Sequence, residues 1–506
     1  MKRTEASPSA HVLKKTQPEE FDLVILGGGT GSTIAAWTFA GEGKRVAVVD
    51  RKYIGGSCPN IACLPSKNII HTAKVVDYFR RSKEFGIAIG KDGFTIEMSG
   101  VRERKRKMVV GLNEMYMENY RNTGAEFILG TGRFVAPRTV EAALPDGSTR
   151  QLRGTNVIVS TGTRASLEPI PGLAEAQPLT HIEALELDEI PEHLIVVGGG
   201  YVGVEMSQAM RRFGSKVTVV DRNARLMSKE DPDVCEALRS VLADEGIDIL
   251  LNARIKEVSG KSGDSVGVVV EQNVEQNGIE KVLKGSHVLV ATGRNPNTEG
   301  LGLELTGVEL TDRGYIKVNE RLQTTAPGVW AIGEVAGSPQ FTHIGIDDFR
   351  VVHSNLTHAN LTGGNRVTTG RQVPYCLFTD PELARIGLSE TEAEAQGIAY
   401  RLFRVPMQTN LRAHTLSETR GFVKALVEAD SDRILGFTAF GAGAGETLAA
   451  VQIAMIAGLP YTALRDAVLT HPTLVEGLIS LFSSAASAHN VIEKAVETRG
   501  AQISAA

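Results

Sequence analysis

The fold of this chain is decided by Phe21-Asp-Leu-Val-Ile-Leu-Gly-Gly-Gly-Thr-Gly-Ser32, and by a second stretch of the same kind, Leu194-Ile-Val-Val-Gly-Gly-Gly-Tyr-Val-Gly203. Each begins as a short apolar run, turns through closely spaced glycines and continues as a helical pattern. A second apolar run then ends in an acid, Asp50 in the first case and Asp221 in the second. This order of strand, glycine turn and helix brings backbone amides against a pyrophosphate, with the acid near a ribose. The two stretches therefore predict an α/β protein with two Rossmann-like dinucleotide-binding folds.

The two glycine turns differ at one position. The second turn has glycine at all three fingerprint positions, Gly198, Gly200 and Gly203. The first has Gly27 and Gly29 but carries Ser32 at the third position, where a small side chain still permits close packing of helix on strand. One such motif is weak evidence, whereas two in one chain, each followed by an acid, are much stronger. The alternative is a pair of glycine turns that bind no ligand.

Other apolar runs predict further strands. Three of them end beside a glycine, where a chain can cross between domains next to a cofactor: Val157–Gly162, Val288–Arg294 and Val329–Glu334. Toward the C-terminus, alternating apolar residues in Gly421–Val427 and Ile434–Ala439 indicate two antiparallel strands, and a helical pattern follows them. We therefore expect a third domain of α+β type at the C-terminal end.

Composition excludes several classes of protein. The chain has 506 residues and a net charge of −5, with acids and bases interspersed, so neither a nucleic acid nor an anionic membrane is expected as a partner. Residues 1–20 contain no apolar segment typical of a signal peptide, and no run of about 18 apolar residues predicts a membrane span. Four cysteines in so long a chain do not form a disulfide framework, so we expect a cytoplasmic protein.

A close cysteine pair lies in Ile54-Gly-Gly-Ser-Cys58-Pro-Asn-Ile-Ala-Cys63-Leu-Pro-Ser-Lys67. The helical pattern that follows places the pair near a helix N-terminus, where the helix dipole favours thiolate. A disulfide there can accept two electrons from a flavin and exchange with a second thiol or disulfide. Two ordinary buried cysteines are the alternative, and a zinc site is disfavoured because no second Cys/His pair has ligand spacing. We interpret Cys235 and Cys376 as structural.

With these residues in place, the chain resembles the class I pyridine nucleotide-disulfide oxidoreductases from about residue 20 to 485. The resemblance rests on the cysteine motif, on both glycine turns, on Phe378-Thr-Asp-Pro-Glu382 and on His471-Pro-Thr-Leu-Val-Glu476. It implies an FAD-binding domain over 20–168 and 294–366, an NAD(P)-binding domain over 169–293, a dimerisation domain over 367–485, and tails at 1–19 and 486–506.

The resemblance also implies roles for individual residues. Cys63 would face the flavin and Cys58 would attack the substrate, while Lys67 would lie near the flavin N5 and pair with Glu205. His471, oriented by Glu476, would come from the partner subunit and act as acid and base for Cys58, so that a homodimer is the catalytic unit. The residues expected to bind FAD are Gly27, Gly29, Asp50, Ser57, Thr161, Gly162, Gly333 and Glu334. Those expected to bind NAD(P)H are Gly198, Gly200, Gly203, Asp221, Arg222 and Gly293.

Three positions depart from the family pattern. Glu334 replaces the usual Asp, Ala62 replaces the usual Gly before Cys63, and Pro59 follows Cys58. None of these changes removes a chemical group that the reaction needs, although the turn between the cysteines is expected to be stiffer. FAD binding is therefore expected to be retained.

The residues are compatible with two electron donors and with more than one class of electron acceptor. Asp221 can accept a hydrogen bond from a ribose 2′-hydroxyl, which favours NADH, whereas Arg222 and Arg225 can bind the 2′-phosphate of NADPH. The stretch Gln340–Arg350 resembles the mercuric-reductase-like branch linked to reactive-chlorine resistance. The expected acceptor is thus a small thiophilic species such as Cu(II), Hg(II) or a reactive oxidant. A low-molecular-weight disulfide reductase or dihydrolipoamide dehydrogenase is the alternative, and a slowly turning over sensor flavoprotein is a third hypothesis.

Overall fold

The structure is a computed structural model of the chain and describes residues 17–91, 93–272, 278–357 and 365–489. Within these ranges, no helix is long and apolar enough to cross a membrane. The chain divides into two compact units. The first unit comprises the described parts of Met1–Gly56, Glu114–Gly162 and Pro296–Thr368, and the second those of Ser57–Asn113, Thr163–Asn295 and Thr369–Ala506.

Strands and helices are numbered in chain order. The strands are β1 (Glu19–Leu26), β2 (Val46–Asp50), β3 (Glu126–Leu129), β4 (Thr131–Ala136), β5 (Thr139–Ala143), β6 (Thr149–Val159), β7 (Thr163–Ala165), β8 (His193–Val197), β9 (Lys216–Val220), β10 (Asp248–Leu250), β11 (Ala253–Lys261), β12 (Ser265–Gln272), β13 (Ile279–Gly285), β14 (His287–Val290), β15 (Arg294–Pro296), β16 (Val329–Ala331), β17 (Tyr375–Leu377), β18 (Glu382–Gly387), β19 (Tyr400–Pro406), β20 (Phe422–Glu428), β21 (Ile434–Gly441) and β22 (Ser487–His489). The helices are α1 (Thr30–Gly41), α2 (Ser57–Asn60), α3 (Cys63–Arg80), α4 (Met98–Thr123), α5 (His181–Ala184), α6 (Tyr201–Phe213), α7 (Pro232–Asp244), α8 (Thr342–Thr357), α9 (Glu390–Ala395), α10 (Leu411–Leu416), α11 (Ala444–Ile456), α12 (Tyr461–Arg465) and α13 (Gly477–Ser483).

The first unit is built on a sheet with strand order β3-β2-β1-β6-β5-β4, and β16 also pairs with β6. Strand β1 runs parallel to both β2 and β6, and both of its faces are buried. Val24 packs in the core on one face of the sheet, and Ile25 packs on the other face beside α1 and α8. Burial on both faces explains why β1 is a continuous apolar run rather than an alternating one. Helices α1 and α8 cross closely, because a Cβ on Gly31 would lie 2.2 Å from the carbonyl oxygen of Gly345.

The second unit contains a parallel sheet with strand order β10-β9-β8-β14. Helix α3 packs along α6, and apolar residues of both helices share one core with β8 and β9. The antiparallel strands β11, β12 and β13 form a separate core with Ile195 and Val197 of β8 and with residues of β14. As predicted, the second glycine turn therefore connects a buried parallel strand, β8, to a helix, α6.

A six-stranded sheet in the same unit has the order β17-β18-β21-β20-β19-β22. The prediction of two antiparallel strands is confirmed, since β20 pairs antiparallel with β21, and α11 follows them. The sequence predicts a tail from residue 486, but the described chain forms a strand at Ser487–His489. Strand β22 pairs with β19, and the His489 ring stacks on that of Tyr400 with centroids 4.9 Å apart.

Candidate active site

The first glycine turn follows β1 in the first unit. Gly27 has φ +101°, and a Cβ there would lie 2.4 Å from the carbonyl oxygen of Ser160, so only glycine fits. Asp50 fixes the turn, because its Oδ2 accepts a hydrogen bond from the Gly28 amide at 2.7 Å. The hydroxyl of Ser32 donates to the carbonyl oxygen of Gly27 at 2.8 Å. The serine at the third fingerprint position thus ties the helix to the turn instead of disturbing it.

The two helices that follow the glycine turns fit a pyrophosphate. Helix α1 has Gly29 as its N-cap and α6 has Gly200. Because glycine has no side chain, neither N-cap residue can accept a hydrogen bond from the first-turn amides. Such amides carry a partial positive charge and need an acceptor. A Cβ on Gly200 would meet no described atom within 4 Å, so space is open at the N-terminus of α6. This arrangement fits the pyrophosphate of FAD at α1 and that of NAD(P)H at α6.

The first Thr-Gly junction follows β6. Thr161 donates a hydrogen bond from its hydroxyl to the carbonyl oxygen of Asn297 at 2.7 Å, and Gly162 has φ +65°. The Asn297 amide in turn donates to the carbonyl oxygen of Gly162 at 2.9 Å. The hydroxyl of Thr161 is therefore used to join two chain segments of the first unit.

The segment after β16 carries the remaining expected FAD residues. Gly333 has φ +70°, and its amide donates to Oδ2 of Asp348 at 2.7 Å. Asp348 is fully buried in α8, whereas Glu334, the residue that follows Gly333, is half-buried. Sequence reasoning did not single out Asp348, although the residue lies in the Gln340–Arg350 stretch that carries the resemblance to the mercuric-reductase-like branch.

The second glycine turn repeats the geometry of the first. Gly198 has φ +105°, and a Cβ on Gly203 would lie 1.9 Å from the Gly198 carbonyl oxygen, so the start of α6 packs directly on the turn. Asp221 is buried, and its Oδ2 accepts from the Gly199 amide at 2.5 Å. Its Oδ1 accepts from the amide of Asn223 at 2.7 Å. In both folds, the acid expected at a ribose also holds its own glycine turn in place.

The cationic residue next to Asp221 is accessible. The Arg222 side chain is 72% exposed, and its guanidinium lies 3.9 Å from a carboxylate oxygen of Glu168. Gly293, at the second Thr-Gly junction, has φ +128° and accepts a hydrogen bond from the Ser166 amide at 2.9 Å. The structure therefore places Arg222 where it can reach a ligand without first leaving a buried partner.

The cysteine pair lies at consecutive short and long helices of the second unit. Ser57 and Cys58 belong to α2, and Cys63 is the first residue of α3. Both cysteines are half-buried. Ala62 is the N-cap of α3, and the Ser66 hydroxyl donates to the Cys63 carbonyl oxygen at 3.1 Å. The sequence prediction of a helix N-terminus at the pair is confirmed, and the dipole of this 18-residue helix favours a negative charge on Cys63.

Lys67 and Glu205 form the ion pair that the resemblance implies. The Lys67 Nζ lies 2.7 Å from Oε2 of Glu205, whose side chain is only 7% exposed. The other carboxylate oxygen of Glu205 accepts from the Phe378 amide at 2.8 Å, and the Lys67 ammonium lies 4.9 Å from the Phe378 ring centroid. Glu205 is thus fixed at both oxygens, and it holds the Lys67 amine one turn beyond Cys63 on the same helix.

Asp380, inside the Phe378-Thr-Asp-Pro-Glu382 motif, contacts both helices that carry this pair, α3 and α6. Its Oδ2 lies 2.7 Å from the Arg212 guanidinium, and its Oδ1 lies 3.0 Å from the Lys74 ammonium. Gln208, on the same helix as Glu205, exchanges hydrogen bonds with both the amide and the carbonyl oxygen of Asp380 at 2.8 Å. Burial opposes ionisation, but Arg212 and Lys74 together hold the pKa of Asp380 below its ordinary value. The sequence alone could not show these contacts, because the partners are far apart along the chain.

His471 and Glu476 also come together. Nδ1 of His471 lies 3.0 Å from both carboxylate oxygens of Glu476, and the His471 side chain is 60% exposed. A carboxylate at Nδ1 fixes the tautomer of the ring, which leaves Nε2 to exchange a proton with another group.

The surroundings of the two remaining cysteines, Cys235 and Cys376, differ from those of the Cys58–Cys63 pair. Cys235 is buried on α7, and its thiol donates to the carbonyl oxygens of Met227 and Glu230 at 3.5 Å. Burial raises the pKa of Cys235 to about 11, so the thiol stays protonated and unreactive. Burial also raises the pKa of Cys376.

Comparison with known proteins agrees with this geometry. The family model described as pyridine nucleotide-disulphide oxidoreductase matches residues 21–348, and the dimerisation domain of the same family matches residues 373–481. The chain is 33% identical over 472 residues to the probable pyridine nucleotide-disulfide oxidoreductase RclA of Escherichia coli, covering 92% of this chain and 99% of that protein. The solved Cu(II) complex of HOCl-induced flavoprotein disulfide reductase RclA matches with a TM-score of 0.82 at 32% identity, over 92% of this chain and 99% of the other.

Two other kinds of relative are nearly as similar. Mitochondrial dihydrolipoyl dehydrogenase of Dictyostelium discoideum is 31% identical, with 91% of this chain and 93% of that protein covered. A mercuric reductase of Staphylococcus aureus is 30% identical, with 94% and 84% covered.

The chain therefore belongs to the pyridine nucleotide-disulphide oxidoreductase family. It is an oxidoreductase of α/β fold that uses FAD and a nicotinamide dinucleotide, and it carries the dimerisation domain of that family. The resemblance deduced from the cysteine motif is confirmed.

Proposed function

We propose that this protein is an NAD(P)H-driven reductase in which Cys58 and Cys63 pass two electrons to a small thiophilic acceptor. The observation that carries the proposal is the position of the cysteines. Cys63 opens α3, and the Lys67–Glu205 ion pair lies one turn further along the same helix. Redox-active thiols need such an electropositive, partly exposed environment, whereas buried structural cysteines such as Cys235 do not have it.

Two electrons pass through each step of the proposed reaction. FAD, when bound, relays the two electrons of a hydride equivalent from NAD(P)H to the cysteine pair. The S–S bond of Cys58–Cys63 then breaks, and one proton joins the hydride equivalent to give two thiols. Two Cu(II) ions are reduced to Cu(I) when the thiols return to the disulfide, and two protons are released. Reduction of one Hg(II) to the metal requires the same two electrons.

Residues of this chain control the protons and charges in these steps. Nε2 of His471 takes the Cys58 proton, and Glu476 stabilises the resulting imidazolium through Nδ1. The Lys67 ammonium, held by Glu205, supplies positive charge next to the reacting dithiol. In the proposed homodimer, His471 of one subunit serves Cys58 of the other, which is supported by the dimerisation domain over residues 373–481.

The proposed acceptor is a metal ion or an oxidant rather than a particular organic disulfide. Support comes from the relatives, one of which is known as a Cu(II) complex and another of which is a mercuric reductase. Dihydrolipoamide dehydrogenase activity is the second candidate, because a dihydrolipoyl dehydrogenase is similar over nearly the same length. The domain limits 20–168 with 294–366, 169–293 and 367–485, and a cytoplasmic location, remain part of the proposal.

The test compares acceptors and cysteine variants. The FAD-loaded enzyme is supplied with NADH or NADPH and then with Cu(II), Hg(II), glutathione disulfide or lipoamide, while nucleotide oxidation is followed. We expect turnover with a metal ion, its loss in Cys58→Ser and Cys63→Ser, and its retention in Cys235→Ala. Full turnover of every acceptor by Cys58→Ser would contradict the dithiol mechanism. Fast turnover with lipoamide alone would favour the second candidate.

A further inference from the structure

A half-buried histidine of the second unit has a ring nitrogen that no step described so far uses. His181 is the first residue of α5 in the second unit, directly after the N-cap Thr180. Its Nε2 is buried and has no hydrogen-bond partner among the described residues. A buried polar atom without a partner costs free energy, and native proteins seldom keep one. The unsatisfied nitrogen is therefore a candidate contact for a ligand.

The backbone places His181 at the ligand-binding edge of the parallel sheet. Leu179 runs parallel to Leu289 of β14, since the Leu179 amide donates to Val288 and its carbonyl oxygen accepts from Val290, both at 2.8 Å. Residues after Leu179 therefore lie at the carboxyl end of β14. Ligands of open α/β sheets bind outside the carboxyl ends of the strands.

The same edge carries the glycine turn. The chain that leaves β14 abuts that turn, because a Cβ on Gly198 would lie 2.6 Å from the Ala291 carbonyl oxygen. Two residues on, a Cβ on Gly293 would meet no described atom within 4 Å. His181 thus follows a segment that flanks β14 on the side away from the turn.

Strand order indicates which half of the nucleotide reaches His181. Across this edge the order is β9, β8 and β14, with Asp221 after β9 and the glycine turn after β8. A dinucleotide with its adenosine near Asp221 and its pyrophosphate on the turn must extend its other half toward β14. Neighbouring strands are about 4.8 Å apart, so the Leu179 segment lies about 10 Å from the turn, on the far side of β14, and the second ribose and the imidazole side chain must span this distance together.

We propose that Nε2 of His181 hydrogen-bonds a hydroxyl of the nicotinamide-side ribose of NAD(P)H. The assignment rests on the proposed use of this dinucleotide as electron donor, but not on the identity of the acceptor. Burial, with the Arg294 guanidinium nearby, lowers the pKa of His181 to about 4, so the imidazole is neutral in the working range of pH. A neutral ring can bond a hydroxyl without placing a second cation beside Arg294.

Fragments of the nucleotide test this position. Dissociation constants of NAD+, ADP-ribose and ADP, and of their 2′-phosphorylated forms, are measured by calorimetry on the oxidised, FAD-loaded enzyme. For His181→Phe we expect NAD+ and ADP-ribose, which contain the second ribose, to bind about 3- to 10-fold more weakly, the loss of one neutral hydrogen bond. ADP, which lacks that ribose, binds unchanged. His181→Gln, which returns a polar group to the same place, recovers most of the loss.

His287→Ala is the matched control. His287 is likewise half-buried, but it is the first residue of β14, at the amino end of the strand, where its Nδ1 lies 2.9 Å from the Ser286 hydroxyl. It should bind all three fragments as the unaltered enzyme does. Equal weakening of ADP in His181→Phe, unchanged binding of every fragment, or an altered flavin spectrum with unchanged binding would each overturn the assignment. These constants do not depend on Cys58, so failure of the dithiol mechanism would be seen separately.

Discussion

Two glycines of the second turn are predicted to respond differently to the same added methyl group. A Cβ on Gly203 would lie 1.9 Å from the Gly198 carbonyl oxygen, whereas a Cβ on Gly200 would meet no described atom within 4 Å. Contact between carbon and oxygen needs about 3.3 Å. Gly203→Ala must therefore move α6 away from the turn by about 1 Å or more, and such overpacking costs about 1–3 kcal/mol.

The consequences for binding follow from the same geometry. In Gly203→Ala the first-turn amides of α6 move with the helix, so both stability and nucleotide affinity should fall. Gly200 has φ −86°, which alanine adopts freely, so Gly200→Ala should keep or slightly raise stability. Its methyl group would nevertheless occupy the space for the pyrophosphate, and we expect affinity for NAD+ and NADP+ to fall at least about 10-fold, roughly 1.4 kcal/mol.

Thermal unfolding and calorimetric titration of the two variants separate these effects. The expected pattern is loss of both stability and affinity in Gly203→Ala, and loss of affinity alone in Gly200→Ala. If Gly203→Ala unfolded at the temperature of the unaltered protein and bound nucleotide normally, the close packing of α6 on the turn would be refuted. Normal binding by Gly200→Ala would show that the pyrophosphate lies elsewhere.

Three further outcomes are expected. Glu205→Gln removes the counter-charge of the partly exposed Lys67 ammonium, and the electrostatic stabilisation lost is about 1–2 kcal/mol. Stopped-flow reduction of the flavin by NAD(P)H should therefore slow about 10-fold. An unchanged rate would show that the ion pair takes no part in the reaction. The folded-state pKa of Asp231 is lowered to about 2, because hydrogen bonds from Thr391 and the charge of the buried Lys424 outweigh the effect of burial. Ionised Asp231 therefore stabilises the folded protein by about 2 kcal/mol above pH 4, and this stabilisation is lost as the pH falls toward 2. Acid unfolding of Asp231→Asn should accordingly lack that part of the pH dependence, whereas a parallel shift of the whole curve would contradict it. His471→Ala should lower acceptor turnover about 100-fold or more, while His414→Ala, on an exposed helix of the same unit, should not; equal effects would point to a structural loss.

The sequence predicted the fold well where local chemistry decided it. Gly27 and Gly198 need positive φ, and the strands before them are buried on both faces, so the apolar runs and glycine turns predicted the order of strand, turn and helix correctly. Ser32 was accepted as a small residue, but its hydroxyl bond to the turn needs the three-dimensional path of the backbone. The C-terminal strand β22 was missed because three residues carry too little periodicity to indicate a strand.

Much of the site could not be derived from residues alone. Lys67 and Glu205 are 138 positions apart, and their pairing came from the family resemblance rather than from spacing. Asp348 and His181 were not singled out, because a buried carboxylate or an unsatisfied imidazole is recognised only when its surroundings are known. The expectation that Asp50 and Asp221 contact riboses was incomplete in the same way, since their bonds to the glycine turns depend on how the strands pair.

The carboxylates of Asp50 and Asp221 make the same hydrogen bond twice in one chain, once in each nucleotide fold. In each nucleotide fold an aspartate accepts from the amide of the middle glycine, and in each the donor and acceptor are 22 positions apart. One turn belongs to the first unit and the other to the second, so a substitution at one leaves the other as an unaltered reference within the same molecule. The same substitution can be made at Asp50 and at Asp221, and flavin retention in the first variant compared with nucleotide affinity in the second. The comparison would show whether this hydrogen bond matters more for a cofactor that stays bound or for one that must leave in every cycle.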